Sequence, residues 1–180
     1  PHPFTFLLIG LIHPSKGQLE AVEAIAIVRQ RFPEVRLRIL GDGRSQALVE
    51  RIAALGQREA VSLEGFVADP FPALSSAHAL LMCSRNEAMG RVTVEAMACG
   101  LPVIGHASGG TLELVEHENT GLLYQDGAEA LAACMLRLVQ DPALAQHLGD
   151  TGAQRAAERF SIERYAQEVL AMQRAVLSAH

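Results

Sequence analysis

Short apolar runs alternate along this chain with longer segments of helical periodicity, and this alternation limits the possible folds more than any other feature. The apolar runs predict strands at residues 4–10, 35–40, 61–63, 78–83, 102–105 and 121–124. The segments with helical spacing lie at residues 18–32, 45–55, 92–99, 128–140, 142–159 and 162–177. Strands that are largely apolar and alternate with helices predict a parallel sheet covered on both faces, which is a doubly wound α/β fold.

A fold of this class directs attention to the loops that follow its strands. Ligands of doubly wound sheets bind beyond the carboxyl ends of the strands, where the strand order reverses. The loops to consider therefore lie at residues 10–17, 41–44, 65–69, 84–91 and 105–111.

Composition limits the class of protein and of partner. The 180 residues make one domain of ordinary size, and 49% apolar with 19% charged residues indicates a packed core rather than a disordered chain. The net charge of -5 provides no basic surface for nucleic acid. Phosphate binding would therefore require a local positive group.

Other kinds of site find little support in the sequence. Cys83, Cys99 and Cys134 match no zinc or redox spacing, which predicts free buried thiols in a reducing compartment. The seven histidines show no paired ligand spacing, although His13 and His106 fall in candidate loops and could be polar contacts. No apolar run is long enough to cross a bilayer and no signal peptide begins the chain, so a cytoplasmic protein is expected.

The segment 84–100 (SRNEAMGRVTVEAMACG) is predicted to join a strand to a helix through a glycine turn. Backbone N–H groups near Gly90, Arg91 and Val92 would open the helix and form an anion site. A cation at this end of a helix is disfavoured by the helix dipole. The Arg91 side chain therefore either meets a bound phosphate or bends into solvent, and the sequence favours neither.

Two carboxylates flank that helix start. Glu87 lies in the turn, and Glu95 lies about one helical turn inside the helix, where its side chain tilts back toward the N-terminus. Both could face one crevice and accept hydrogen bonds from sugar hydroxyls. The alternative for each is a solvated surface carboxylate.

Lys16 is the single lysine of the chain, whereas the other fourteen basic residues are arginines. It lies in the loop after the first strand, and its compact ammonium suits a phosphate. The alternative is a surface lysine without a role.

Two glycine motifs allow more than one interpretation. Gly41 and Gly43 begin a dinucleotide fingerprint, but Gln46 stands where its third glycine is required, so a tight turn is the better interpretation. Gly109 and Gly110 would permit close approach to a ligand or form a tight turn, and both interpretations stay open.

Taken together, these motifs resemble one family. Residues 87–104 (EAMGRVTVEAMACGLPVI) resemble the E-x7-E region of retaining GT-B glycosyltransferases of the family 4-like group, the glycosyl transferases group 1. Further pieces resembling that family, in the same order, are residues 10–17, 35–43, 61–67, 109–115 and 120–122. The resemblance covers nearly the whole chain and is specific as a set.

The resemblance implies a Rossmann-like domain spanning residues 1–180, the C-terminal, donor-binding half of a GT-B enzyme, without the N-terminal acceptor domain. The whole protein would transfer a hexose from a UDP- or GDP-sugar to a glycan or lipid-linked acceptor, with retention of configuration and without a metal. The isolated domain would be inactive, and the full protein could associate with the inner face of the membrane. Residues 162–177 would form the closing helix.

The same resemblance assigns roles to individual residues. Lys16 would pair with the donor diphosphate, which the amides of Gly90, Arg91 and Val92 would also hold. Glu95 would bind the ribose, and Glu87 would contact the transferred sugar, so that Glu87 and Lys16 are the implied catalytic pair. The residues that complete the implied donor site are Gly10, Met89 and, through their backbone at the base, Phe66 and Val67.

Two residues depart from the family pattern. Leu11 stands where the family has a second phosphate-binding arginine, and Ala88 stands where it has glycine. Leu11 favours one alternative on the same fold, a non-catalytic nucleotide-sugar-binding module. A second alternative is an enzyme resembling nucleotide-sugar epimerases, against which the E-x7-E spacing and the Lys16 loop stand.

Overall fold

The structure, a computed structural model, describes residues 3–43, 45–88, 90–125 and 127–160. The helix predicted at residues 162–177 and the implied site residue Met89 lie outside these described residues.

Six strands form one sheet. They are β1 (Thr5–Ile9), β2 (Arg36–Leu40), β3 (Val61–Gly65), β4 (Ala79–Met82), β5 (Val103–His106) and β6 (Gly121–Tyr124). Every neighbouring pair is parallel, and the strand order is β3-β2-β1-β4-β5-β6. The order reverses between β1 and β4, so the predicted doubly wound, Rossmann-like sheet is confirmed and its switch point is located.

The helices lie close to their predicted positions. They are α1 (Gln18–Arg29), α2 (Gln46–Ala54), α3 (Phe71–Ser76), α4 (Arg91–Ala98), α5 (Thr111–Leu114), α6 (Ala128–Gln140) and α7 (Pro142–Arg159). The sequence did not predict α3, α5 or the 3-10 turn Pro14–Lys16, because six residues or fewer are too short to show helical periodicity. Asp141 caps α7 as its position before Pro142 predicts, accepting a hydrogen bond from Leu144 N at 3.0 Å.

The core lies on both faces of the sheet, which explains why the central strands β1 and β4 are apolar on both sides. Phe6 and Leu8 of β1 pack into one cluster with α1, α2 and α6, whereas Leu7 packs into a second cluster with α3, α4 and α7. Each face is therefore covered by helices, and a polar residue on either side of β1 would be desolvated.

The cysteines are free, and their burial differs from the prediction at one position. Cys83 and Cys134 are buried as predicted, but Cys99 is only half-buried because it lies at the C-terminal end of α4. Burial raises the pKa of the Cys83 thiol to about 12, so this thiol is protonated at neutral pH. None of the helices in the described ranges is long and apolar enough to span a membrane.

Strand β3 is an edge strand with mostly exposed residues. Its pairing with β2 shifts register at Leu40, which lies opposite Gly65 rather than Glu64. Arg38 of β2 donates two hydrogen bonds to the Glu64 carboxylate, at 2.7 Å from Nε and 2.9 Å from Nη2. The outer part of this sheet edge therefore carries a fixed ion pair.

Candidate functional site

Two adjoining cavities open at the carboxyl ends of β1 and β4, at the switch point of the sheet. Their volumes are about 320 Å³ and 420 Å³. The residues that line both are Ile9, Gly10, Leu11, Arg91 and Val92. The implied site residues are divided between them, with Lys16, Glu87 and Gly90 in the smaller cavity and Phe66, Val67 and Glu95 in the larger. Four of the five candidate loops therefore meet at one crevice.

Lys16 and Glu87 meet directly in the smaller cavity. Lys16 Nζ donates a hydrogen bond to Glu87 Oε2 at 2.7 Å, although the two residues are 71 positions apart in sequence. Lys16 ends the 3-10 turn, and Gly17 follows it in the left-handed conformation at φ 71°. The two loops that the sequence predicts at the ligand edge are thus joined by an ion pair.

This ion pair determines the charge of Glu87. The Lys16 ammonium, together with a hydrogen bond from Ser84, holds the pKa of the Glu87 carboxyl below its ordinary value near 4.5. Glu87 is therefore ionised at neutral pH. Its carboxylate accepts hydrogen bonds and has no proton to donate.

The lowered pKa of Glu87 predicts how stability depends on pH. A carboxyl with a lowered folded-state pKa stabilises the fold above its ordinary pKa, and this contribution is lost as pH falls through the folded value. Because the pair is partly exposed, Glu87→Gln should reduce the free energy of unfolding at pH 7 by only about 0.5–1 kcal/mol. The loss should shrink in urea titrations as the pH falls below the ordinary pKa of about 4.5 and through the lowered folded value. A loss that does not shrink at acidic pH, or the same pH trend in the exposed-helix control Glu50→Gln, would contradict the assignment.

The turn that carries Glu87 rests on the Gly109–Gly110 loop. Gly110 N donates to Glu87 O at 2.7 Å, and Asn86 N donates to Ser108 Oγ at 3.1 Å. A Cβ at Gly110 would lie 2.6 Å from Ala88 O. The glycines therefore permit close approach of one loop to another, and this fifth candidate loop does not contribute to the lining of the two cavities.

The two candidate histidines also lie outside the lining of these cavities. His13 caps the 3-10 turn, since its Nδ1 accepts a hydrogen bond from Ser15 N. His106 is buried, contacts Ser108 Oγ at 2.8 Å through Nδ1 and meets the Tyr124 ring edge-on. Both histidines support loops, and the suggestion that they are ligand contacts gains nothing from the structure.

Helix α4 begins at the wall shared by the two cavities. Gly90 is buried and takes a left-handed conformation at φ 61°, which ends the turn and starts the helix. The N–H groups of Arg91 and Val92 have no acceptor within the helix because they lie in its first turn. Arg91 is 84% exposed, and its Nε lies 3.2 Å from Glu95 Oε1.

The larger cavity is bordered by the turns after β2 and β3. Phe66 is 75% exposed at its rim, beside Val67. Gly41 lies against the carbonyl of Gly10, with no room for a Cβ, and its N–H donates to Gly65 O at 2.8 Å. The turn interpretation of Gly41 and Gly43 agrees with this packing, which also sets the width of the cavity.

The residues that depart from the family pattern are both accessible. Leu11 is 57% exposed and lines both cavities, so no cation stands at its position in the crevice. Ala88 is exposed and is not among the described non-glycine residues with positive φ, which are Asn86 and Glu118. The backbone at Ala88 therefore has no need of glycine.

Glu20 connects four elements beside the turn after β4, and sequence reasoning missed it. Its carboxylate accepts hydrogen bonds from Tyr124 OH at 3.1 Å and from Gly127 N at 2.7 Å, and it lies 4.0 Å from Arg85 Nη2. It therefore links α1, β6, the start of α6 and the turn after β4. A carboxylate beside the apolar stripe of α1 is the signal that could have identified it.

Within the part of the chain that the structure describes, no group of three His, Cys, Asp or Glu side chains is arranged to hold a metal ion. The cationic side chains in the lining of the two cavities are Lys16 and Arg91.

Comparison with known proteins gives a consistent result. The profile of the family described as "Glycosyl transferases group 1" matches residues 3–141. D-inositol 3-phosphate glycosyltransferase of Jonesia denitrificans is 34% identical over 183 residues, which cover 96% of this chain and 43% of that protein. The chain thus spans less than half the length of this relative.

Two solved structures share this fold and are 27% and 30% identical in sequence to this chain. Anabaena HepE, crystallised in complex with UDP and glucose, has a TM-score of 0.89 and 27% identity over 97% of this chain and 49% of that one. Sucrose-phosphate synthase of Thermosynechococcus elongatus has a TM-score of 0.85 and 30% identity over 100% of this chain and 47% of that one. Each neighbour is about twice as long as the part that superposes.

Proposed function

The chain belongs to the glycosyl transferases group 1 family, and we propose that it binds the nucleotide-sugar donor of an enzyme that transfers a hexose. The donor is a UDP- or GDP-sugar, and the acceptor is a glycan or a lipid-linked glycan held by another part of the full-length protein. The observation that carries this proposal is the meeting of Lys16, Glu87, Glu95 and the start of α4 at the switch-point crevice.

The division of the crevice matches the parts of such a donor. The smaller cavity offers an ammonium and the free N–H groups of α4, which suit a diphosphate. The larger cavity offers Glu95 for the ribose hydroxyls and an apolar rim at Phe66 and Val67 for the base. The Anabaena neighbour was crystallised with UDP and glucose, which supports a donor of this kind.

The chemistry follows from where charge develops. Transfer breaks the bond between the anomeric carbon and the β-phosphate oxygen, whose electron pair stays on the diphosphate. An acceptor hydroxyl oxygen forms the new bond to the anomeric carbon, and its proton passes to the departing diphosphate. Lys16 and the N–H groups of Arg91 and Val92 would stabilise this negative charge without a metal. Glu87, ionised beside Lys16, would accept hydrogen bonds from hydroxyls of the transferred sugar. The family resemblance adds retention of configuration at that carbon.

Calorimetric titration of the 180-residue chain with UDP, GDP and ADP tests the proposal. Saturable binding of UDP or GDP is expected, and Glu95→Ala should weaken it at least tenfold, the scale of a lost charge-assisted hydrogen bond. Glu50→Ala, which removes an exposed carboxylate from α2, serves as the matched control. Absence of binding of all three nucleotides, or equal losses in the two variants, would contradict a donor site at this crevice.

Leu11 favours one other candidate function, that of a non-catalytic nucleotide-sugar-binding module. Its apolar side chain lines both cavities at the position where the family resemblance implies a cation. The activity of the full-length protein separates the two. Transfer that disappears in Glu87→Gln supports the enzyme, whereas donor binding without transfer supports the module.

A further inference from the structure

The two cationic side chains of the crevice each form an ion pair with one of its carboxylates. Lys16 Nζ lies 2.7 Å from Glu87 Oε2, and Arg91 Nε lies 3.2 Å from Glu95 Oε1. All four side chains line the two cavities. The groups that would hold the phosphates are thus paired with the groups that would hold the hydroxyls.

The net charge of the crevice affects how strongly it attracts a diphosphate. With Asp42, the charged side chains that line the cavities are three carboxylates and two cations, so the crevice carries a net negative charge. A diphosphate brings further negative charge and is attracted only where a cation turns toward it. The exposed Leu11, which lines both cavities, is apolar and supplies no cation.

Arg91 has the geometry to supply a second cation to the phosphates. It stands at the first position of α4, beside the helix amides, and lines both cavities. Its side chain is 84% exposed, so its rotation away from Glu95 meets no packing, and an exposed ion pair of this spacing is weak. A diphosphate carries more negative charge than a single carboxylate and can accept two parallel hydrogen bonds from a guanidinium, whereas Arg91 approaches the partly buried Glu95 through Nε at 3.2 Å.

We propose that Arg91 is the second phosphate-binding side chain of this site, and that it transfers from Glu95 to the diphosphate when the donor binds. This inference rests on the proposed function. The transfer frees Glu95 for the ribose at the moment the phosphates arrive, so the phosphate and ribose contacts form together. An uncharged nucleoside, which cannot attract Arg91, meets a Glu95 that is still paired.

Titration with a nucleoside diphosphate and with its nucleoside tests this exchange. Arg91→Ala should weaken diphosphate binding about tenfold, the low end for a lost charge-assisted hydrogen bond, and leave nucleoside binding unchanged or tighter because Glu95 is released. Arg51→Ala is the matched control, since it removes one positive charge and one ion pair, with Glu23, on the distant α1–α2 surface. Equal affinities of wild type and Arg91→Ala for the diphosphate would overturn the inference.

A second pair of variants separates contact from positioning. If Arg91 touches the phosphates, its replacement should cost about the same factor in a Glu95→Gln background. If the effect of Arg91→Ala vanishes in that background, Arg91 acts only through Glu95 and the inference is wrong. Failure of the wild-type chain to bind any nucleoside diphosphate would remove the proposed function as well, whereas normal binding that ignores Arg91 would remove this inference alone.

Discussion

Lys16→Ala should weaken binding of a nucleoside diphosphate by about 1.5–3 kcal/mol, roughly 10- to 150-fold, because a charge-assisted contact to phosphate is lost. Binding of the uncharged nucleoside should be almost unchanged, since Lys16 lies in the smaller cavity, apart from the rim at Phe66. The wild-type chain and Lys16→Ala are each titrated calorimetrically with the nucleoside diphosphate and with the nucleoside.

A control variant and a linked change in the pKa of Glu87 make the Lys16 result specific. Lys16→Arg keeps the positive charge and should recover part of the affinity, although its planar guanidinium fits the position of an ammonium imperfectly. Loss of Lys16 also leaves Glu87 unpaired, which should move the pKa of that carboxyl back toward its ordinary value. Equal losses for diphosphate and nucleoside would show that Lys16 supports the fold of the loop rather than binding phosphate.

Gly17→Ala should reduce the free energy of unfolding by about 2–4 kcal/mol, the sum of a strained backbone and an overpacked contact. Gly17 has φ 71°, and a Cβ there would lie 2.5 Å from Cys83 Cβ and 2.6 Å from Cys83 O. The substitution therefore separates the Lys16 loop from the end of β4. Chemical denaturation of the variant gives the loss directly.

Gly56 provides the matched control for this prediction. Its φ of 67° is close to that of Gly17, but a Cβ at Gly56 would meet nothing within 4 Å. Gly56→Ala should therefore show only the conformational cost, about 1 kcal/mol. If the two variants lose equal stability, contact between the Lys16 loop and β4 contributes nothing, and the packing argument for Gly17 fails.

The sequence was sufficient to predict the sheet because its central strands are apolar on both faces. Phe6, Leu7 and Leu8 are consecutive and buried, as expected of a strand covered on both sides. Helices α6 and α7 were predicted with their observed bounds because Asp141 and Pro142 mark the boundary between them. Long segments with regular apolar spacing, and residues that favour helix ends, allow a helix and its bounds to be predicted from the local sequence alone.

Contacts between distant loops could not be predicted from local patterns. The Lys16–Glu87 pair joins residues 71 positions apart, and it depends on the strand order that places β1 beside β4. The role of Gly110 depends in the same way on the approach of its loop to Ala88. Sequence reasoning located the right loops but could not distinguish a glycine that faces a ligand from one that faces another loop.

The edge strand β3 has a consequence for how this domain behaves at high concentration. An exposed strand edge is a template for pairing with a second molecule, and long, flat, uncharged edges lead to aggregation. Here the edge is five residues long, breaks register at Gly65 and carries the Glu64 carboxylate fixed by Arg38. A strand added at this edge would have to follow the break in register and would lie beside a charged side chain. The sheet therefore terminates at β3, and intermolecular β-pairing is disfavoured on that side.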